Sequence, residues 1–179
     1  NLAQGFPNFP APEVLKEAGY RNVGVFSHWG FNKKYGYAEG YDRWDLRATP
    51  RGKKHIDEYS SSKELTDRLL TILKEEEEGT APLHLLTHYM DAHKHYLRHK
   101  GYPQFGRKRV DRYDHEILYQ DDQMERLLRY LQESPRWREA IVVITSDHGE
   151  AFGEHGIYTH GYDIYEELVK VPLLFRVPG

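Results

Sequence analysis

Aspartate and histidine side chains stand close together after two apolar runs of this sequence. Asp91 and His93 follow the first run, and Asp147 and His148 follow the second. Carboxylate and imidazole groups bind divalent cations, and an imidazole also transfers protons near neutral pH. The chain contains 11 histidines. So many histidines suggest metal binding or acid–base chemistry. The ordinary alternative is that they are surface and core residues with neither role.

The composition is that of a globular domain with a sizeable core. Of its 179 residues, 39% are hydrophobic and 30% are charged. The net charge of -3 gives no reason to expect nucleic acid as a partner. The absence of cysteine excludes disulfides and thiolate metal sites, and no apolar run has the length needed to span a bilayer.

Predicted strands and helices alternate along the chain. Helices are expected over residues 12–18, 61–78, 109–131 and 164–169. Strands are expected over residues 22–26, 83–89, 140–145 and 171–177, those at 83–89 and 140–145 being of the buried type. The segment 29–46 is expected to be irregular. This order predicts an α/β fold, a three-layer αβα sandwich with a largely parallel central sheet.

The strand over residues 140–145 would deliver Asp147 and His148 at its carboxyl end, where ligands bind in open α/β sheets. Gly149 then permits a sharp turn. Taken alone, the three-residue pattern Asp-His-Gly fits a turn with a helix N-cap as well as it fits a metal site.

A longer string around these residues is far more specific. It contains, in order, Ser146-Asp147-His148-Gly149, Gly153-Glu154-His155-Gly156, His160, Tyr165-Glu166-Glu167 and Val171-Pro172-Leu173. It resembles the sulfatase family of the alkaline phosphatase superfamily, whose pattern is S-D-H/N-G, G-E-H-G, a Lys or His, Y-E-E and V-P-L.

Other parts of the chain are similar to the same family. They are the L-K-x-A-G-Y at residues 15–20, the D-x-H at residues 91–93, and the Y-D-x-E-I-x-Y-x-D at residues 113–121. The resemblance covers nearly the whole chain and is strongest from residue 141 onward. It implies that residues 1–179 are the C-terminal portion of a single sulfatase-type catalytic domain.

The resemblance implies one divalent metal, with Asp147 and His148 as two of its ligands. Calcium is the ion that the family leads us to expect. Many sulfatases that use calcium have Asn at the position of His148. The imidazole nitrogen of His148 also admits manganese or zinc.

The resemblance further implies two catalytic residues. His93 matches a histidine that lines the site near the nucleophile. His160 falls where the family has a Lys or His that contacts the transferred group and protonates the leaving oxygen. His155 and His84 are expected to have structural roles.

The residues around His95 suggest how a substrate would be bound. The stretch from Lys94 to Arg109 contains six basic residues, among them Arg98, and no acid. As a rim over the site, Lys94, His95 and Arg98 would bind an anionic sulfate or phosphate ester such as a sulfated glycan, and a solvated loop is the equal alternative. Asp91 and His95 also form a D-x-x-x-H pair, a spacing used for a second metal in two-metal phosphodiesterases of the superfamily.

The nucleophile string of the family, C/S-x-P-x-R, is absent from this sequence. In the family its Cys or Ser becomes formylglycine, so that residue is expected upstream of this segment. Family habit favours a periplasmic or extracellular location, which the segment itself does not reveal.

The function these features predict is metal-dependent hydrolysis of sulfate esters by a nucleophile outside the segment. A phosphodiesterase, a phosphomonoesterase or a phosphonate monoester hydrolase is the alternative, because D-H-G also occurs in such enzymes. A non-catalytic remnant or binding module is the alternative for a chain that consists of this segment alone.

Overall fold

The structure, a computed structural model, describes residues 13–50, 61–93 and 95–178. Its helices are α1 (Glu13–Glu17), α2 (Ser62–Glu75), α3 (Arg109–Glu133) and α4 (Glu166–Val169). Its strands are β1 (Arg21–Phe26), β2 (Arg43–Asp45), β3 (Leu83–His88), β4 (Val142–Thr145) and β5 (Leu173–Arg176). The expected α/β fold with a parallel sheet is confirmed.

The chain divides into two compact units. The first contains α1, β1, β2, α2, β3 and α3 as far as Tyr130. The second begins at Leu131 and contains the last residues of α3 with β4, α4 and β5.

The first unit is built on a three-stranded parallel sheet in the order β2-β1-β3. The central strand β1 is buried at every position after Arg21, as is usual for a parallel strand with neighbours on both edges. The expectation of an irregular segment at 29–46 was wrong at β2, which pairs with β1 from Arg43 to Asp45. A three-residue strand with charged ends carries no periodicity from which it could be recognised.

Helix α2 packs against β1 through one apolar face. Leu65, Leu69, Ile72 and Leu73 are almost completely buried, and their spacing of four, three and one residues is that of a helix stripe. The helix ends at Glu75, earlier than the predicted residue 78. Its run of glutamates lies near the negative end of the helix dipole, where acidic side chains do not prolong a helix.

A glycine is required where α1 turns into β1. Gly19 has a φ of 78°, and its N–H donates to Lys16 O while Tyr20 N–H donates to Leu15 O, both at 2.9 Å. These two bonds form the usual left-handed ending of a helix. The A-G-Y step of the sequence therefore sets the direction in which β1 begins.

The second unit contains a two-stranded sheet in which β4 and β5 run antiparallel. The prediction that residues 140–145 form a buried strand was wrong in this respect, since Val143 is 53% exposed and Phe175 on β5 is 64% exposed. In the described part of the chain β4 pairs with β5 alone. The apolar side chains of a two-stranded sheet stay exposed unless further strands or helices pack on it.

Among the described residues, no helix combines the length and the apolar character that crossing a bilayer requires.

His84 of β3 provides a test of the first unit through pH. Its Nδ1 lies 3.0 Å from Asn22 Oδ1, and burial lowers the pKa of His84 below its ordinary 6.5. The unfolded chain therefore takes up a proton before the folded chain does, and the stability contributed by neutral His84 is lost as pH falls below about 6.5. We expect His84→Gln, which keeps a polar group beside Asn22, to lose less free energy of unfolding between pH 7.5 and pH 5 in urea titrations. An identical loss in both proteins would contradict this assignment.

Candidate active site

The turn after β4 is held by hydrogen bonds among its own residues. Ser146 Oγ–H donates to His148 O at 2.8 Å, and His148 N–H donates to Asp147 Oδ1 at 3.0 Å. The two side chains that follow the strand are therefore fixed relative to each other.

The ring of His148 has one defined tautomer when neutral. Its Nδ1 lies 2.8 Å from Gly149 O, and a carbonyl oxygen only accepts, so Nδ1 carries the proton and Nε2 the lone pair. A backbone carbonyl that fixes one ring nitrogen in this way is typical of metal-binding histidines. Nε2 lies 3.7 Å from Asp147 Oδ2. A cation about 2.1 Å from each atom would allow at most about 4.2 Å between them, so the pair fits one ion.

Gly149 is required because the backbone of α4 packs against this turn. A Cβ on Gly149 would lie 2.0 Å from Glu167 O, and Gly149 N–H donates to Leu168 O at 2.8 Å. The third residue of the Asp-His-Gly string therefore joins the site to α4.

A tight turn then folds the chain back toward β4. Gly153 N–H donates to Ile157 O at 2.8 Å, and Gly153 and Gly156 have φ values of 126° and 76°. His155, in the same turn, stacks on Tyr165 with ring centroids 3.9 Å apart.

This turn returns His160 to the end of the strand. The rings of His160 and His148 stack with centroids 4.0 Å apart. His160 Nδ1 also lies 3.2 Å from a carboxylate oxygen of Glu150, whose side chain is only 5% exposed. Sequence analysis assigned no role to Glu150. Its position two residues after His148, in a string already singled out, was the available signal.

At the end of β3, Asp91 binds the start of α2. Its two carboxylate oxygens accept the N–H groups of Ser61 at 2.7 Å and Ser62 at 3.1 Å, and the residue is buried. Both oxygens thus bind the helix N-terminus, and a second metal at the D-x-x-x-H pair of Asp91 and His95 stays a prediction.

The other predicted residues of this region lie on the loop between β3 and α3. His93 donates its N–H to Met90 O at 3.3 Å and is half-buried, while His95 and Arg98 are exposed. Lys94 lies outside the described residues.

The structure thus brings Asp147, His148 and His160 together in the second unit, and it carries His93 on a loop of the first. Within residues 13–50, 61–93 and 95–178, no cluster of three histidine, aspartate or glutamate side chains is arranged to hold a metal ion. The Asp147–His148 pair alone would supply two ligands.

The parallel sheet of the first unit agrees with the expected α/β fold, and the Asp-His pair follows β4 in the chain. The sulfatase family model matches residues 1–179, and the chain belongs to that family.

Similar proteins include both sulfatases and phosphoethanolamine transferases. Human iduronate 2-sulfatase is 40% identical over 75 residues, which make up 42% of this chain and 14% of that protein. The lipoteichoic acid synthase LtaP of Listeria monocytogenes has a TM-score of 0.73 at 18% identity, covering 100% of this chain and 49% of that one. The periplasmic domain of phosphoethanolamine transferase EptC of Campylobacter jejuni has a TM-score of 0.65 at 21% identity, covering 92% and 54%. The chain therefore spans about half of these structures, and their likeness shows the fold alone.

The fit of Gly149 against α4 can be tested by one methyl group. We expect Gly149→Ala to lower the free energy of unfolding by about 1–3 kcal/mol and to shift the NMR signals of His148, because the backbone of the turn or of α4 has to move. Gly156→Ala is the matched control, since its Cβ meets open space and it bears only the strain of a positive φ. Equal stability of the two variants, with unchanged His148 signals, would contradict the close approach.

Proposed function

We propose that this chain is part of a metal-dependent hydrolase of sulfate esters, with Asp147 and His148 as two ligands of one divalent cation. The observation that carries the proposal is the fixed ring of His148. Its Nδ1–H is engaged by Gly149 O, and its Nε2 lies 3.7 Å from the carboxylate of Asp147. The remaining ligands would come from residues outside this pair.

A cation at this position would neutralise charge on the oxygens of a sulfuryl or phosphoryl group. Calcium is the ion suggested by family habit, and the nitrogen of His148 also suits manganese or zinc.

His160 is the proposed proton donor to the leaving oxygen. It stacks on His148, and the buried carboxylate of Glu150 lies 3.2 Å from its Nδ1. A carboxylate at Nδ1 holds a proton there, so the proton exchanged with a substrate would belong to Nε2. His93 is proposed to line the site near the transferred group. The nucleophile, expected to be formylglycine, would lie outside the segment.

The substrate is proposed to be an anionic ester such as a sulfated glycan. Arg98, Lys100, Arg107, Lys108 and Arg109 are all exposed on the loop after β3 or at the start of α3. Such a concentration of positive charge attracts polyanions through long-range electrostatics. The sulfatases among the similar proteins, including iduronate 2-sulfatase, support a sulfated sugar as the first substrate class to try.

Hydrolysis of phosphate or phosphonate esters is the second candidate. It is favoured by the histidine at position 148, where many sulfatases have asparagine, and by the sequence similarity to phosphoethanolamine transferase EptA of Escherichia coli O157:H7, which is 38% identical over 68 residues. In both reactions the transition state carries negative charge on its equatorial oxygens. The described residues could stabilise that charge in either reaction.

Metal binding by the 179-residue chain tests the ligand assignment. We expect Asp147→Asn and His148→Gln each to weaken binding of Mn²⁺ or Zn²⁺ at least about tenfold in calorimetric titrations. Asp163→Asn is the matched control, because Asp163 is also an exposed aspartate that accepts the N–H of its next residue. Binding that is unchanged by the first two substitutions, or equally weakened by the third, would contradict the assignment.

Turnover decides between the candidate reactions. The gene should be read upstream of the codon for Asn1, and the protein that it encodes assayed with p-nitrophenyl sulfate, p-nitrophenyl phosphate and bis-p-nitrophenyl phosphate. We expect a C/S-x-P-x-R string and a preference for the sulfate ester, with activity lost in chelator and restored by metal. A preference for a phosphate ester would establish the second candidate. Activity that is insensitive to chelator would refute both metal-dependent versions, and a chain that starts at Asn1 without turnover would indicate a binding module.

A further inference from the structure

Two adjacent side chains of α3, His115 and Glu116, hold the loop that carries His93. Their exposed fractions are 2% and 3%, so both are buried although both are polar. A buried polar side chain must find hydrogen-bond partners, and here the partners belong to residues 92, 99 and 103 of the loop after β3.

Glu116 binds this loop at two points. One carboxylate oxygen accepts the N–H of Ala92 at 3.2 Å, and the other lies 3.3 Å from Nε2 of His99. A buried carboxylate that receives hydrogen bonds at both oxygens is held in one orientation. The residue before Ala92 is fixed as well, because Asp91 binds the start of α2.

The backbone at Ala92 shows why such a bond is needed. Ala92 has a φ of 67°, a left-handed conformation that residues with a Cβ rarely adopt. It persists only where surrounding contacts determine it. Since the next residue is His93, the conformation of Ala92 sets the direction in which His93 leaves the loop.

His115 fixes the far end of the same loop through a single tautomer. Its Nε2 accepts the N–H of His99 at 2.8 Å, so the proton of the neutral ring is on Nδ1, which lies 2.8 Å from Pro103 O. The ring of His99 lies flat against Tyr119, with centroids 3.6 Å apart. The loop is therefore tied to α3 at Ala92, His99 and Pro103.

We propose that Glu116 is a positioning residue for His93. Through its bond to Ala92, Glu116 holds the left-handed turn that orients the His93 imidazole. His115 fixes the rest of the loop by its bonds to His99 and Pro103. The proposal rests on the proposed function only in assigning catalytic work to His93. A purely structural role for Glu116 would stabilise the fold without affecting His93 more than any other residue.

Hydrogen exchange and NMR of the 179-residue chain test the proposal without any assay of turnover. In the unsubstituted protein we expect the Ala92 amide to exchange at least about a hundredfold more slowly than in an unstructured peptide. In Glu116→Ala we expect that protection to fall about tenfold or more, and the ring signals of His93 to broaden or split. Glu116→Gln keeps an acceptor for the Ala92 N–H and should restore both.

The matched control is Ile72→Val, which removes one buried methyl group from α2 and lowers stability without touching the loop. We expect it to leave the His93 signals and Ala92 protection unchanged. The proposal is overturned if the Ala92 amide exchanges at the unstructured rate, a result that needs no variant. It is also overturned if Glu116→Ala leaves His93 unaffected, or if Ile72→Val disturbs His93 equally.

In the enzyme that contains this chain, Glu116→Ala should lower kcat by roughly tenfold to a hundredfold with KM changed less than about threefold, and Glu116→Gln should recover most of kcat. An equal fall of kcat in Ile72→Val would refute the positioning role. If no ester is turned over by the unsubstituted enzyme, the proposed function fails, while exchange at Ala92 and the His93 signals still decide the role of Glu116.

Discussion

The buried carboxylate of Asp91 joins the end of β3 to the first turn of α2, and the arrangement of the first unit depends on that bond. Its two oxygens accept the N–H groups of Ser61 and Ser62, which are among the donors that a helix start leaves without partners. Strand β3 pairs with β1 along its whole length, and α2 packs on β1. The loop with His93 therefore begins from a point that sheet and helix fix together.

The two histidines proposed to act in catalysis, His93 and His160, are both associated with buried carboxylates. Glu150 lies 3.2 Å from the ring of His160, and Glu116 accepts the N–H of the residue before His93. The first acts on the imidazole itself, whereas the second acts through the backbone. Burial of a carboxylate is costly unless its oxygens are bonded, so each one constrains the groups around it.

The sequence was sufficient for the elements with a long apolar signal and for the position of the Asp-His-Gly string just after a strand. Strand β1 and the apolar face of α2 follow from runs and periodicity alone. The sequence did not indicate the direction in which β4 pairs, because the pattern of β4 is the same whether its neighbour is parallel or antiparallel. Glu116 was not predictable as a partner of Ala92, since 24 residues separate them and only the packing of α3 brings them together. Glu150 was visible in the string, but its burial was not.

The tautomer of His148 bears on which ion the site would take. Many family members have Asn at this position together with calcium, and an Asn side chain offers a carbonyl oxygen. His148 replaces that oxygen with a nitrogen, because its Nδ1 is engaged by Gly149 O and Nε2 faces the same side as Asp147 Oδ2. Calcium takes oxygen ligands at about 2.3–2.6 Å, whereas zinc accepts imidazole nitrogen at about 2.0–2.1 Å. On the proposed function, the nitrogen of His148 would favour manganese or zinc over the calcium that family habit suggests.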